Sequence, residues 1–302
     1  MKLSSRLLRR LVIAGIFLAV FSLTGLGIKT VVTPQPTCTD GIMNGEEEGI
    51  DCGLFACSNY CEPDLDPPQV ISTKLIQAGP RYADRVSPEA SAVAQGFGEA
   101  SENDYDFVAE IKNPHQQFGA SEVEYELTLF NGDDNELSKE GGIFYILPGQ
   151  TKYLVLTHLT TERNVSKIDF KINSATWQRI DSLEGLSLIV RQDKYTDLGG
   201  SSGSILDAVI LNDSDFDFEM VDIDVLLFNA RGDVVAVNRS DIRTFLARTE
   251  RSFRVIWPFN INGKVDRIEV FPSTNLFENS NFIKTYGSET EKFQEYKHLQ
   301  VW

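Results

Sequence analysis

The residue types best suited to chemistry crowd together near the amino end. Cys38, Cys52, Cys57 and Cys61 are the only cysteines of the 302 residues, and acids fill the interval between the first two. Asp40, Asn44, Glu46, Glu48 and Asp51 can be laid on positions one, five, seven, nine and twelve of a twelve-residue calcium loop, with Gly45 at its turn position, so they form a candidate calcium site. Ile42 stands where such a loop needs an oxygen, and no helical pattern flanks it, which favours a solvated, turn-rich knot over a bound ion. An even cysteine count in a stretch too small to own a core argues for two disulfides, and four cysteines leave three pairings open. A zinc site is the weaker rival because no C-x-x-C pair occurs.

Elsewhere the usual signatures of catalysis are missing. His115, His158 and His298 have no partners at ligand spacing, which points to structural or surface roles. Gly199-Gly200-Ser201-Ser202-Gly203 lacks the lysine and the following helix of a phosphate loop, and there is no G-x-S-x-G elbow. Arg231-Gly232-Asp233 spells an adhesion tripeptide, yet Gly-Asp is ordinary turn chemistry. Asn164, Asn212 and Asn238 open glycosylation sequons that matter only in a eukaryotic source. No catalytic residue and no cofactor is therefore assigned, and a non-enzyme is expected. A carboxylate pair assembled by the fold is the enzymatic alternative.

The elements that position all of this are organised about two stretches that are versions of one another. Val123 to Asn131 reads V-E-Y-E-L-T-L-F-N, and Val221 to Asn229 reads V-D-I-D-V-L-L-F-N. Apolar residues recur at every second place and carboxylates (Glu124, Glu126; Asp222, Asp224) fall between, the period of a strand with one face buried and its acids in water. From Ala109 onward, matching segments keep an offset of 98 to 100 residues: Ala109 to Asn113 with Ala208 to Asn212, Ile146-Leu147 with Phe245-Leu246, Tyr153 to Leu156 with Phe253 to Ile256, and Ile168 to Phe170 with Ile268 to Val270. In the turn after the twin strand the first copy has Asp133-Asp134-Asn135 where the second has the Arg231 tripeptide, so that tripeptide is no feature of the repeat. The opening strands are Val70 to Ile76 and Leu186 to Val190. Ala78 to Asn103 reads as a long loop with a helical turn near Pro88 to Ala94, and Asp197 to Ser204 as its short counterpart.

About seven short strands per hundred residues and no long helix predict a mainly β protein with two tandem immunoglobulin-like or fibronectin-like sandwiches, 70–180 and 181–283. A polar tail, 284–302, follows as a frayed helix or a strap. The modules are similar to the FxLYD-type β domains of bacterial envelope proteins, with Leu127-Thr128-Leu129-Phe130-Asn131 and Val225-Leu226-Leu227-Phe228-Asn229 in place of the name motif. Phe replaces its Tyr, Asn its Asp, and an aliphatic residue its first Phe. That resemblance implies no catalytic residue. C-T-D-G-I-x-N-G-x-E-x-G-I-D-C-G likewise resembles a short cysteine motif of bacterial surface and secreted proteins, which implies an exported bacterial protein and assigns no activity.

Leu11 to Ile28 is apolar apart from Gly, Ser22 and Thr24, follows a basic cluster, and at helical rise spans ~27 Å, about the thickness of a bilayer core. Residues 1–30 are thus expected to be a cytoplasmic basic stub and a transmembrane signal anchor, with the rest outside. A cleaved signal peptide is the rival, but Gly25-Leu26-Gly27 makes a poor cut site. Residues 31–69 hold the cysteine knot and the Pro-rich spacer from Glu62 to Gln69. The net charge is -16; setting aside the five basic residues of the first thirty leaves 23 basic against 44 acidic residues, a charge of -21. Nucleic acid and anionic lipid are poor partners for such a body, and another envelope protein is the expected one.

Overall fold

A computed structural model of the chain describes residues 13–22, 38–47, 49–57, 65–78, 103–199 and 203–287. Met1–Asp64 and Leu65–Trp302 are separate compact units. In the first, residues 13–22 form helix α1, with Leu18 and Phe21 about 70% exposed. Among the described residues no helix is long and apolar enough to cross a membrane. The knot contains a single helical turn, α2 (Leu54–Cys57), and a disulfide between Cys38 and Cys57. Cys52 is also disulfide-bonded, and Cys61 lies outside the described residues.

Among the described residues the second unit contains twelve strands in two sandwiches of six. The first has β1 (Gln69–Ala78), β2 (Asp104–Lys112), β3 (Phe118–Phe130), β4 (Glu136–Ile146), β5 (Thr151–Thr160) and β6 (Lys167–Arg179). The second has β7 (Leu188–Asp197), β8 (Ser204–Asn212), β9 (Phe218–Phe228), β10 (Val234–Phe245), β11 (Glu250–Trp257) and β12 (Arg267–Ser273). Each sandwich is two three-stranded antiparallel sheets with the same order: β1-β2-β5 over β4-β3-β6, and β7-β8-β11 over β10-β9-β12. The repeat extends to register, since Leu129 faces Ile168 on β6 and Leu227 faces Ile268 on β12. Among the described residues each module has six strands, beside an expectation of about seven per hundred residues.

The twin stretches become the central strands β3 and β9 because their alternation matches a core on one face. Val123, Leu127 and Leu129 are fully buried, as are Val221, Ile223, Val225 and Leu227. Phe107, Ala109 and Ile111 of β2 close the first core, and Leu206, Ala208 and Ile210 of β8 the second. One match shifts by a residue: Ala109 faces Leu154 as Ala208 faces Phe253, so Phe253 is the counterpart of Leu154, not of Tyr153. Alternation is the cause, because Leu154 and Phe253 point into the cores while Tyr153 points outward.

Beyond β12 a 3-10 turn (Leu276–Glu278) and helix α3 (Ser280–Tyr286) bring Phe277, Phe282 and Ile283 into the second core, and Gly287 bridges to Ile180. The expected tail is therefore a short amphipathic helix at its start; residues 288–302, with His298, lie outside the described residues. So does the helical turn expected near Pro88 to Ala94.

Gly203 opens β8 at φ +76, where a Cβ would lie 2.0 Å from the Trp257 carbonyl oxygen, so only glycine fits.

Candidate functional site

The two sandwiches are joined through the outer faces of their sheets. Val108 of β2 and Val155 of β5 pack against Leu226 and Phe228 of β9 and Val237 of β10, with Tyr153 and Phe271 ring to ring at 4.5 Å. Outward-facing positions of β2, β5 and β9 thus carry apolar side chains that meet each other rather than water, a contact that favours a fixed pairing of the modules.

Beside this apolar patch lies a buried polar cluster that no short motif announces. Lys152, at the start of β5, is 7% exposed, and Asp224, on the outer face of β9, is 6% exposed. Lys152 Nζ donates to Ser273 Oγ at 3.1 Å and sits 3.8 Å above the centre of the Tyr145 ring. The Tyr145 hydroxyl lies 3.0 Å from both Ser273 Oγ and Asp222 Oδ2. One proton arrangement satisfies the chain: the lysine donates to the serine, the serine to the tyrosine, and the tyrosine to Asp222. Arg239 of β10 stands 3.8 Å from the other oxygen of Asp222.

The Asp224 carboxylate takes no part in that chain; among the described residues it accepts no hydrogen bond and has no cationic nitrogen within 4 Å. Burial pushes its carboxyl up to about 6, against the pull of Lys152 and Arg239 and with help from Asp222. Burial likewise lowers the Lys152 ammonium, with Asp224 and Asp222 opposing, and raises the Tyr145 hydroxyl well above its ordinary value. The placement corrects the expectation for Asp222 and Asp224. Their copies Glu124 and Glu126 are exposed and half-buried, whereas Asp222 is half-buried and Asp224 is buried at the seam.

A raised carboxyl pKa means that the folded state holds a proton the unfolded chain has lost. Its stabilising contribution is complete below about pH 4 and is lost as pH rises through about 6. Asp224→Asn removes that window, so urea midpoints between pH 4 and 7 should become flatter and stability at pH 7 should rise by about 1 to 2 kcal/mol. A fall at pH 7 would refute the assignment.

The cysteine segment builds a tight knot. Asp51 accepts the backbone N–H groups of Asp40 and Gly41 at 2.9 and 2.8 Å, and Asp40 accepts those of Ile42 and the Asn44 amide. Three candidate calcium ligands therefore hold turns together. Glu46 is exposed, and Glu48 lies outside the described residues. Among the described residues the one close group of three metal-ligand side chains is Cys38, Glu47 and Cys57, whose two sulfurs are bonded to each other.

His115 meets the Asp66 carbonyl at 2.9 Å and the Trp177 ring edge-on, and His158 lies 3.7 Å from an Asp104 oxygen, so both are tied into structure. The Arg231 tripeptide forms the β9–β10 turn, its Asp233 bonded to Asn229 and Arg231. Asn131 caps the matching turn of the first copy through Asp133 and Asn135. Asn212 is fully buried, so its sequon cannot be glycosylated in the folded protein.

No protein-family model matches the chain, and no curated protein matches it in sequence. Among solved structures it is similar to a glycosyl hydrolase family 2 member from Bacteroides cellulosilyticus DSM 14838, with a TM-score of 0.20 and 10% identity over 56% of this chain and 28% of that one. It is also similar to the calcium binding domain CBD12 of CALX1.1, with a TM-score of 0.17 and 11% identity over 62% of this chain and 84% of that one. The chain spans less than a third of the length of the hydrolase.

Proposed function

We propose that this is a non-enzymatic, membrane-tethered extracytoplasmic protein whose paired sandwiches serve the cell envelope as a structural spacer or protein-interaction module. The observation that carries this reading is the seam. Outer faces that in separate modules would meet water are spent on joining β1-β2-β5 to β10-β9-β12, giving a stiff double module rather than beads on a string. The bonded cysteines fit an oxidising compartment. The basic stub, the apolar run and the exposed side chains of α1 fit a segment seated in lipid, with the amino terminus in the cytoplasm. Protease added to spheroplasts should then digest everything after about residue 30 and leave cytoplasmic controls intact. Modules that survive until detergent is added would overturn the topology.

A second reading, a ligand-sensing ectodomain, is favoured by the unpaired carboxylate of Asp224 at the seam. Its calcium form draws on Asp40, Asn44, Glu46, Glu48 and Asp51, and calorimetry of the full chain with calcium tests it directly. An enzyme with a carboxylate site is the remaining alternative; in the seam, Asp222 is already bonded to Tyr145.

A further inference from the structure

The Asp224 carboxylate borders a cavity of about 350 Å³ that runs along the seam. Met220, Asp222, Asn275 and Glu278 also line a neighbouring cleft of about 430 Å³, so the two spaces are adjacent. Volumes of this size are those of small-ligand sites. Phe144, Leu154 and Leu156 line the seam cavity, and Met220 stands where it meets the cleft. Glu122, Asp222, Asp224 and Glu278 line the cavity with Lys152 and Arg239, while Asp217 and Glu219 outnumber Arg243 in the cleft beyond. The linings of both spaces are therefore net negative and partly apolar, and the seam cavity holds an acid that no donor among the described residues satisfies.

An acid buried in that way is destabilising unless it takes a proton or gains a donor. Lys152 does not supply the donor, because its ammonium is directed to Ser273 and the Tyr145 ring. A divalent metal ion fits poorly, since six or more oxygens are needed and Asp222 is already engaged by Tyr145. A delocalised or alkyl-bearing cation, with an apolar stem, suits the walls.

We propose that the seam cavity is a binding site for an organic cation, an alkylammonium or alkylguanidinium group whose head pairs with Asp224 and whose stem lies along Phe144, Leu154 and Leu156. The inference deepens the interaction part of the reading above and does not depend on the membrane anchor. Asp224 faces Lys152 of β5, Tyr145 of β4, Arg239 of β10 and Asp222 on its own strand. A cation can pair only with the ionised acid, so affinity should fall as pH drops through about 6.

The test is calorimetry of the full chain in nonionic detergent at pH 7.5, with agmatine, the peptide acetyl-Gly-Arg-Gly-amide, and the same peptide carrying neutral citrulline. The expected result is saturable binding of at least one cation with Kd of about 1 mM or tighter, none of the citrulline peptide, and a loss of tenfold or more in Asp224→Asn. Binding by agmatine alone would identify a free amine as the source, and by the peptide alone a basic segment of a partner; either supports the site. Unaltered wild-type protein should lose roughly tenfold in affinity between pH 7.5 and 5.0, a readout that needs no variant. No heat with either cation, equal binding of the citrulline peptide, or an affinity flat with pH would overturn the proposal and leave the topology experiment untouched.

Discussion

Replacing Lys152 by methionine should destabilise the protein by about 3 kcal/mol at pH 7 and by only about 1 kcal/mol at pH 4. Methionine keeps the volume and covers the Tyr145 ring, so packing changes little. What goes is an ammonium that donates to Ser273 and opposes the charges of Asp222 and Asp224. Removing one partner from a buried charged group ordinarily costs 3 to 5 kcal/mol. Asp224 brings this to the low end because it can escape by taking up a proton, its carboxyl already standing at about 6. At pH 4 that proton is present in the parent too, so only the hydrogen bond to Ser273 and the contact with Tyr145 remain to be lost. Urea denaturation at the two pH values measures the difference. The double variant with Asp224→Asn should recover most of the pH 7 loss, whereas strictly additive effects would show that Lys152 and Asp224 do not sense each other.

That coupling was hidden in the sequence for a physical reason. Alternation along Val221 to Asn229 tells which side chains share a face, and the core face was assigned correctly. It does not tell whether the other face meets water or a second sheet. A signal was present: Leu226 and Phe228 fall on the same face as Asp222 and Asp224, an apolar intrusion where a solvated strand would carry polar residues, and both are buried in the seam. The central strands β2, β3, β8 and β9 were legible because each turns one face to a core, so apolar residues recur at every second place along them. Most of β4 and β10 was not. Both are edge strands, and Glu136–Ile146 begins with exposed charge and includes Gly141 and Gly142, where a Cβ at Gly142 would strike the Tyr125 hydroxyl. Of the candidate calcium ligands, Asp40 and Asp51 accept backbone N–H groups, while the Asn44 amide donates to Asp40 and to the Ile42 carbonyl. Acid spacing alone cannot separate the two uses, since a tight turn and an ion both want oxygens close together.

Asn212→Ala is expected to cost about 3 to 4 kcal/mol, among the largest losses from any single polar side chain in the protein. The residue is fully buried at the end of β8, and its amide nitrogen donates to the carbonyls of Phe216, Phe245 and Leu246 at 2.8 to 3.2 Å. Its carbonyl oxygen accepts from the backbone N–H and the hydroxyl of Ser214. One side chain thus ties the β8–β9 turn to the β10–β11 turn, two loops 33 residues apart. Alanine would strand several buried groups at once, each costing about 1 to 3 kcal/mol before relaxation. The first module repeats the device: Asn113, also fully buried, donates to Phe118 and Leu147 and accepts from the His115 N–H. Asn113→Ala should therefore cost nearly as much, while Asn229→Ala, in an exposed hairpin turn, should cost about 1 kcal/mol or less. Guanidinium denaturation of the three variants decides the matter. Equal, small losses would mean that the paired turns stand without their asparagines and that repetition of the residue at both positions reflects ancestry rather than energy.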